Sequence, residues 1–213
     1  MLASNPVWKF LLWFTLLYIL SLLMWRGLEA PYSEKFRAFG KFFFSDFRSK
    51  GTVMFAPLDN PEDKRFSTSL MLMNKNSYEA AVKKAKTSGQ RAAPLRSVNV
   101  TVSSWYTGFL PTILVVTLIL ATPFIGIKRK LVALLWGLLL IHAFIWFQLY
   151  IQILYEFNRV EFLQVVSFSP FWQKVMDSLY YLFVESMGLR FIIPVFIWIF
   201  VTFQKGDLEK LRT

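Results

Sequence analysis

Cysteine is absent from the 213 residues, and histidine occurs once, at His142. The first absence excludes disulfides, thiolate nucleophiles, Cys-ligated zinc and iron–sulfur clusters; the second excludes any site that needs two imidazoles. Charge is scarce as well, at 17% of residues, against roughly 25% in an ordinary soluble chain. There is no phosphate-binding glycine loop, no HExxH and no GxSxG. What the chain holds in excess is apolar surface, 55% of residues with 18% aromatic, gathered into uncharged blocks. Disorder, collagen and a water-soluble enzyme core are excluded as descriptions of the whole. A basic integral membrane protein of formal net charge +11 remains.

A helix needs about 20 mostly apolar residues to cross roughly 30 Å of hydrocarbon. Four blocks meet that length. Phe10 to Trp25 is closed by Lys9 and Arg26; Phe109 to Ile127 is bracketed by Pro111 and Pro123; Leu131 to Tyr155 has 25 consecutive uncharged residues. Phe191 to Gln204 reaches spanning length if it starts near Ser186 and Arg190 snorkels to the interface; Pro194 should kink it. The first block exceeds the ~7–15-residue core of a signal peptide, and WRGLE offers no small-residue cleavage pattern, so an uncleaved anchor is expected. Lys128, Arg129 and Lys130 form a tight basic hairpin that marks its end as cytoplasmic, and Lys9 and the C-terminal tail agree.

The expected fold is an α+β membrane protein: a four-helix transmembrane bundle with a small extracytoplasmic α+β or β domain between spans one and two. Residues 1–9 are the cytoplasmic N-terminus, 10–25 the first span, 26–107 the outer domain, 108–127 the second span and 128–130 the hairpin. Residues 131–155 are the third span, 156–185 an outer loop with an interfacial helix, 186–204 the fourth span and 205–213 a cytoplasmic tail. A membrane with both termini on its cytoplasmic side is the expected location. The outer island carries 14 basic against 7 acidic residues, net +7, but is too long for the charge rule to constrain strongly.

Within that island, Phe36, Phe39, Phe43 and Phe47 fall at helical spacings among Lys35, Arg37, Lys41 and Arg48. An amphipathic helix is predicted there, lying on the membrane or beneath a small sheet. GTVMFAPL and RFSTSLMLM read as strands joined by the turn-rich 59–63, SYEAAVKKAK as a helix capped by Ser77, TSGQRAAP as a loop, and SVNVTV as a half-buried strand. After Ser169-Pro170, Phe171, Trp172, Val175, Met176, Leu179, Leu182 and Phe183 recur with helical period, predicting the interfacial helix. Asn99-Val100-Thr101 is a glycosylation acceptor by pattern only and is expected to be buried in its strand. Gly126 and Gly137 do not form a GxxxG pair.

Candidate polar residues are His142 and Gln148 and Gln152 in span three, Glu156, Arg159 and Glu161 where it ends, and Glu185 and Arg190 before span four. A neutral imidazole inside a bundle needs a partner, and the two glutamines, one turn apart, read as interhelical glue. Trp105, Tyr106 and the Phe36/Phe39/Phe43 face are candidate contact elements or interface anchors. An outer domain of about 80 residues buries only a modest core, which favours docking over catalysis. The first functional reading is a non-enzymatic accessory or scaffold protein. The alternative is an intramembrane enzyme or small transporter using His142 with Glu156, Arg159, Glu161 or Glu185. No cofactor, metal or nucleic-acid partner is expected. The partners expected are the lipid bilayer and a membrane protein, with oligomeric state open; the basic surface suits anionic head groups or envelope glycans.

Tyr106, Gly108, Leu110-Pro111, Ala121-Thr122-Pro123 and Lys128-Arg129-Lys130, with the opening Asn5-Pro6-Val7-Trp8-Lys9-Phe10 and Phe191-Ile192-Ile193-Pro194, carry a resemblance. The chain resembles the bacterial exosortase-associated membrane proteins, in particular the exosortase H-associated group. That resemblance implies an inner-membrane accessory beside a sorting transpeptidase or protease, an exosortase. The enzyme's own Cys nucleophile is not in this chain. No functional residues carry over, and the middle domain departs from the family pattern.

Overall fold

The computed structural model describes residues 6–58, 67–88, 96–123, 125–163, 165–204 and 207. They form a mostly helical chain with one small sheet, in the order α1 (Pro6–Phe44), β1 (Asp46–Phe47), β2 (Gly51–Pro57), β3 (Thr68–Asn74), α2 (Lys75–Ser88) and β4 (Val98–Val102). A π-helical turn π1 (Trp105–Phe109), α3 (Leu110–Ala121), α4 (Ile127–Arg159), α5 (Pro170–Tyr180), a second π turn π2 (Tyr181–Glu185) and α6 (Met187–Thr202) complete it. The turn expected at 59–63 and most of the loop expected at 87–94 lie outside the described residues, as does nearly all of the tail.

Two helices are long and apolar enough to cross a membrane, α1 and α4, or three if the α5–π2 and α6 pair, bent at its break, is one span. The most apolar 18-residue window of α1 has 0% of its residues buried, against 28% for α4. An uncovered apolar surface of that extent needs lipid or another chain around it. Residues Trp105–Ala121 form a shorter apolar helix. It stops where Pro123 drives Thr122 to an extended backbone, φ −64° and ψ 113°.

The helix expected to end at Trp25 does not end there: α1 runs unbroken for 39 residues, through Gly27 and Pro31. Pro31 removes one hydrogen bond, but the residues around it are exposed, so water can serve the freed carbonyl. Helical period continues beyond it, and Ser33, Phe36, Gly40 and Phe44 form the buried face.

The chain divides into two units, with α1 and α4 each contributing to both. The first comprises Met1–Ala30, Tyr106–Ile145 and Met187–Thr213. Here α3 packs along α6, and α4 presents the buried ridge Ala133, Gly137, Ile141 and Ile145. A Cβ on Gly137 would lie 2.8 Å from Ile119 Cδ1 and 3.0 Å from Val115 Cγ1. Ala133 and Gly137 therefore act as a small-xxx-small pair that brings α4 close to α3, a pairing hidden from a search for GxxxG alone. Phe10 stacks on Trp198 at 5.4 Å, Trp198 Nε1 donates to Thr122 Oγ1 at 3.0 Å, and Trp25 meets Phe109 at 4.6 Å.

Lys128, Arg129 and Lys130 form the first turn of α4 instead of a hairpin. Cations are unfavourable at a helix N-terminus and favourable at a C-terminus, and two of the three reach to C-termini. Lys130 Nζ donates to the Leu120 carbonyl of α3 at 2.7 Å. Arg129 donates to the Thr202 carbonyl of α6 and pairs with buried Asp207, while Asp207 Oδ2 accepts from Gln204 N at 2.8 Å.

The second unit comprises Pro31–Trp105 and Trp146–Ser186. Its sheet is antiparallel in the order β1-β2-β3-β4. Register sets Phe55, Leu70 and Val100 in one rung and Val53, Leu72 and Val98 in the next; strand alternation puts all six on one face. That face meets the end of α1, where Phe44 and Phe55 stack at 6.3 Å and a side chain at Gly40 would collide with the Phe55 ring. An aromatic row continues through Phe44–Trp146 at 5.9 Å, Trp146–Tyr150 at 5.5 Å, Tyr150–Phe47 at 5.5 Å and Phe47–Phe157 at 5.3 Å. The opposite face leaves Met54, Asn99 and Thr101 exposed. The Asn99 triplet is thus exposed, not buried, because its strand shows that side to solvent. Asn74, not Ser77, caps α2: its Oδ1 accepts from Asn76 N at 3.1 Å and Ser77 N at 3.3 Å.

Two substitutions test the first unit. Gly137→Leu is expected to cost ~1–3 kcal/mol through overpacking, read as a lower melting midpoint in detergent. Asp207→Ala, which strips a buried partner from Arg129, is expected to cost ~3–5 kcal/mol by the same measurement.

Candidate functional site

Chemistry-bearing side chains concentrate in the second unit, on the last turns of α4 and the segment that follows. Gln148, Gln152 and Glu156 succeed one another at one-turn intervals. Gln148 is buried, and its Nε2 donates to the Phe183 carbonyl at 2.6 Å. Phe183 lies in π2, where wider winding alters carbonyl pairing, and the bond ties α4 to that turn. Gln152 and Glu156 border a small void against Leu70, Leu72 and Val100. Glu156 is buried, with Oε2 3.2 Å from Arg159 Nη2. Arg159 is largely exposed and lies 6.0 Å over the Tyr155 ring, which itself stacks on Tyr180 at 3.9 Å. The ion pair spans one helical turn and tethers the end of α4.

The remaining predicted residues are dispersed. His142 belongs to the first unit, and its Nδ1 sits 2.8 Å from the Leu138 carbonyl one turn back. Arg190 is also in the first unit, within electrostatic reach of Tyr106. Glu185 is exposed at the end of π2. Trp105 and Tyr106 open π1 half-buried. Of the phenylalanine face, Phe36 is buried as core, Phe39 is half-buried and 4.7 Å from Phe43, and Phe43 is exposed and 6.4 Å from Trp146. Among the described residues the most exposed aromatics are Phe42 and Phe200, each 80% exposed, and neither was singled out from the sequence. Among the described residues, no group of three or more His, Asp or Glu is placed to hold a metal ion.

Sequence reasoning missed three polar constellations. Ser33, Ser67 and Ser104 gather their hydroxyls: Ser104 Oγ is 2.7 Å from Ser33 Oγ and 2.6 Å from Ser67 Oγ. Arg37 Nη1 donates to the Ser67 carbonyl at 3.3 Å, so the cluster ties α1 to the start of inner strand β3 and to the chain leaving edge strand β4. Ser33 lies on the α1 stripe that holds Phe36 and Phe44, so its burial could be read from spacing; its partners, 34 and 71 residues away, could not.

Two asparagines hold the chain between α4 and α5. Asn74 Nδ2 donates to the Leu163 carbonyl at 2.7 Å. Asn158 Oδ1 accepts from Phe168 N at 3.2 Å, and its amide donates to Gln173, which donates in turn to Asp177 at 2.8 Å. The segment so held forms, with Lys50 of the β1–β2 turn, a cleft of about 570 Å³. Glu161, Val165, Val166 and Phe168 also line it. Nearby, Lys75 pairs with Asp46 at 2.8 Å, and the adjacent carboxylate holds its ammonium pKa above the ordinary lysine value.

No protein-family model, curated protein or solved structure matches this chain.

The serine cluster predicts a measurable coupling. Ser104→Ala is expected to cost ~1–3 kcal/mol by leaving hydroxyls short of partners. Adding Ser33→Ala should cost less than its effect alone; strict additivity in the melting energies would show that the hydroxyls act independently.

Proposed function

We propose that this protein is a non-enzymatic accessory or scaffold of the bacterial inner membrane. It crosses the bilayer four times with both termini in the cytoplasm, and its sheet unit docks a partner protein outside. One observation carries the reading. A single helix, α1, leaves an apolar run in which no residue of the most apolar window is buried and ends by burying Phe36 and Phe44 beneath the sheet. A docking module built on its own anchor is what such a helix supplies. The commitment of Gln148, Asn74, Asn158 and the serine hydroxyls to holding segments in place further supports docking over chemistry. Phe42, Phe171 and Trp172, exposed by 80%, 68% and 59%, supply surface suited to a partner or a lipid interface. The resemblance to exosortase-associated proteins supports a sorting transpeptidase or protease as that partner.

A photo-crosslinking residue placed at Phe42 or Trp172 of the full-length protein in cells should trap one membrane-protein partner. Adducts to lipid alone would overturn the docking reading. A reporter fused after Thr213 should be active only in its cytoplasmic form; periplasmic activity would overturn the topology.

A further inference from the structure

The cleft beside Lys50 has a wall that is rare in a folded protein. Val165, Val166 and Ser167 lie outside every helix and strand, and among the described residues their backbone groups bond to nothing. Val165 and Val166 are half-buried and Ser167 is exposed; half-buried backbone groups are normally paired, so the groups of the two valines are free to pair with a chain laid in the cleft they line. That segment is nevertheless fixed: Asn158 grips Phe168 N on one side, Asn74 grips the Leu163 carbonyl on the other, and Ser169 is extended at φ −67° and ψ 160°. Its side chains, two of them β-branched, suit strand geometry.

Two charges complete the site. The Lys50 ammonium and the Glu161 carboxylate both line the cleft, and among the described residues neither has an ion-pair partner. The volume of about 570 Å³ falls within the ~300–1,000 Å³ of ligand clefts. Unpaired backbone along one wall, apolar Val165, Val166 and Phe168 beside it, and opposite charges at the rim are the recognition elements of strand addition, in which main-chain bonds give affinity and side-chain contacts give selectivity.

We propose that this cleft binds a peptide segment of a partner polypeptide in extended conformation, pairing its backbone with Val165–Ser167 and setting a carboxylate against Lys50 and a basic group against Glu161. The proposal rests on the docking reading and specifies its contact. Lys50 and Glu161 are exposed, so substitutions there can be made without disturbing the core.

The test uses the full-length protein in nanodiscs, panned with phage-displayed random heptapeptides after subtraction on empty nanodiscs. Enriched peptides, resynthesised, should carry Asp or Glu, and Lys50→Glu should weaken their binding at least tenfold. Exchanging the peptide acid for Lys should restore binding to the Lys50→Glu variant. N-methylation of alternate peptide amides should abolish binding while methylation of the intervening ones leaves it intact. Failure to enrich any peptide, or affinities indifferent to Lys50→Glu and to N-methylation, would overturn the proposal. Partner trapping at Phe42 or Trp172 that survives Lys50→Glu would reject this cleft yet leave docking standing, whereas loss of all partner trapping in the unmodified protein rejects docking itself.

Discussion

The first part of α1 is an apolar surface that the rest of the described chain covers only in part, through contacts such as Phe10–Trp198 and Trp25–Phe109, with 0% of the residues in its most apolar window buried. Water cannot surround that much contiguous hydrocarbon without a large cost, so the helix requires lipid or another chain around it, and the organisation of the chain follows from that requirement. A helix whose backbone bonds are all made internally has no reason to end at the last apolar residue. It ends where its hydrogen bonds stop being worth making, and in α1 that point is Phe44, after the sequence has changed from uniformly apolar to amphipathic. The same change occurs within α4. Ala133, Gly137, Ile141 and Ile145 pack in the first unit, whereas Leu149, Ile153 and Phe157 are buried in the second. Each helix meets two environments in succession along one axis.

An apolar interior makes unpaired polar atoms expensive, because the alternative partner, water, is excluded. The chain meets that cost with side chains placed at irregular backbone. π2 offers the Phe183 carbonyl, and Gln148 takes it. α3 and α6 end with orphan carbonyls, as all helices do, and Lys130 and Arg129 supply the donors. β3 starts and β4 ends at serines that satisfy each other and Ser33. These groups resemble catalytic residues in type but are consumed by structure.

Composition alone located the apolar helices and the strands, because each depends on residues close in sequence. The period-two alternation at 98–102 predicted a real strand, and the Phe spacing after Lys35 a real helix, but its buried face is Ser33, Phe36, Gly40 and Phe44, and Phe47 falls in β1. What stayed hidden was long-range. Phe36 and Phe39 share a nominal face, yet only Phe36 is core, since the sheet sits over the Ser33–Phe44 stripe. Arg26 looks like the end of the first apolar helix, but α1 continues through Gly27 and Pro31 to Phe44. Lys128–Lys130 look like a solvated hairpin because the carbonyls they serve lie on other helices. The candidate cluster around Glu156 was half legible: Arg159 is its helical neighbour, whereas Glu161 faces the cleft with Lys50.

The basic excess can be weighed in the same way. Lys35, Lys41, Arg48, Lys50, Lys83, Lys86 and Arg96 are all exposed, so most of the island's +7 is solvated surface and contributes little to folding. Arg37 and Lys75 are exceptions, one donating to the Ser67 carbonyl and the other paired with Asp46. A solvated positive surface acts over about a Debye length, ~8 Å at physiological salt, and near a bilayer it draws the polar unit toward anionic head groups. Such attraction is nonspecific. Specific recognition needs charges fixed beside unsatisfied backbone, and in the described residues that combination occurs where Lys50 and Glu161 border Val165–Ser167. Under the proposed docking, the general charge would hold the unit near a membrane surface and the cleft lined by Lys50 and Glu161 would select what binds there.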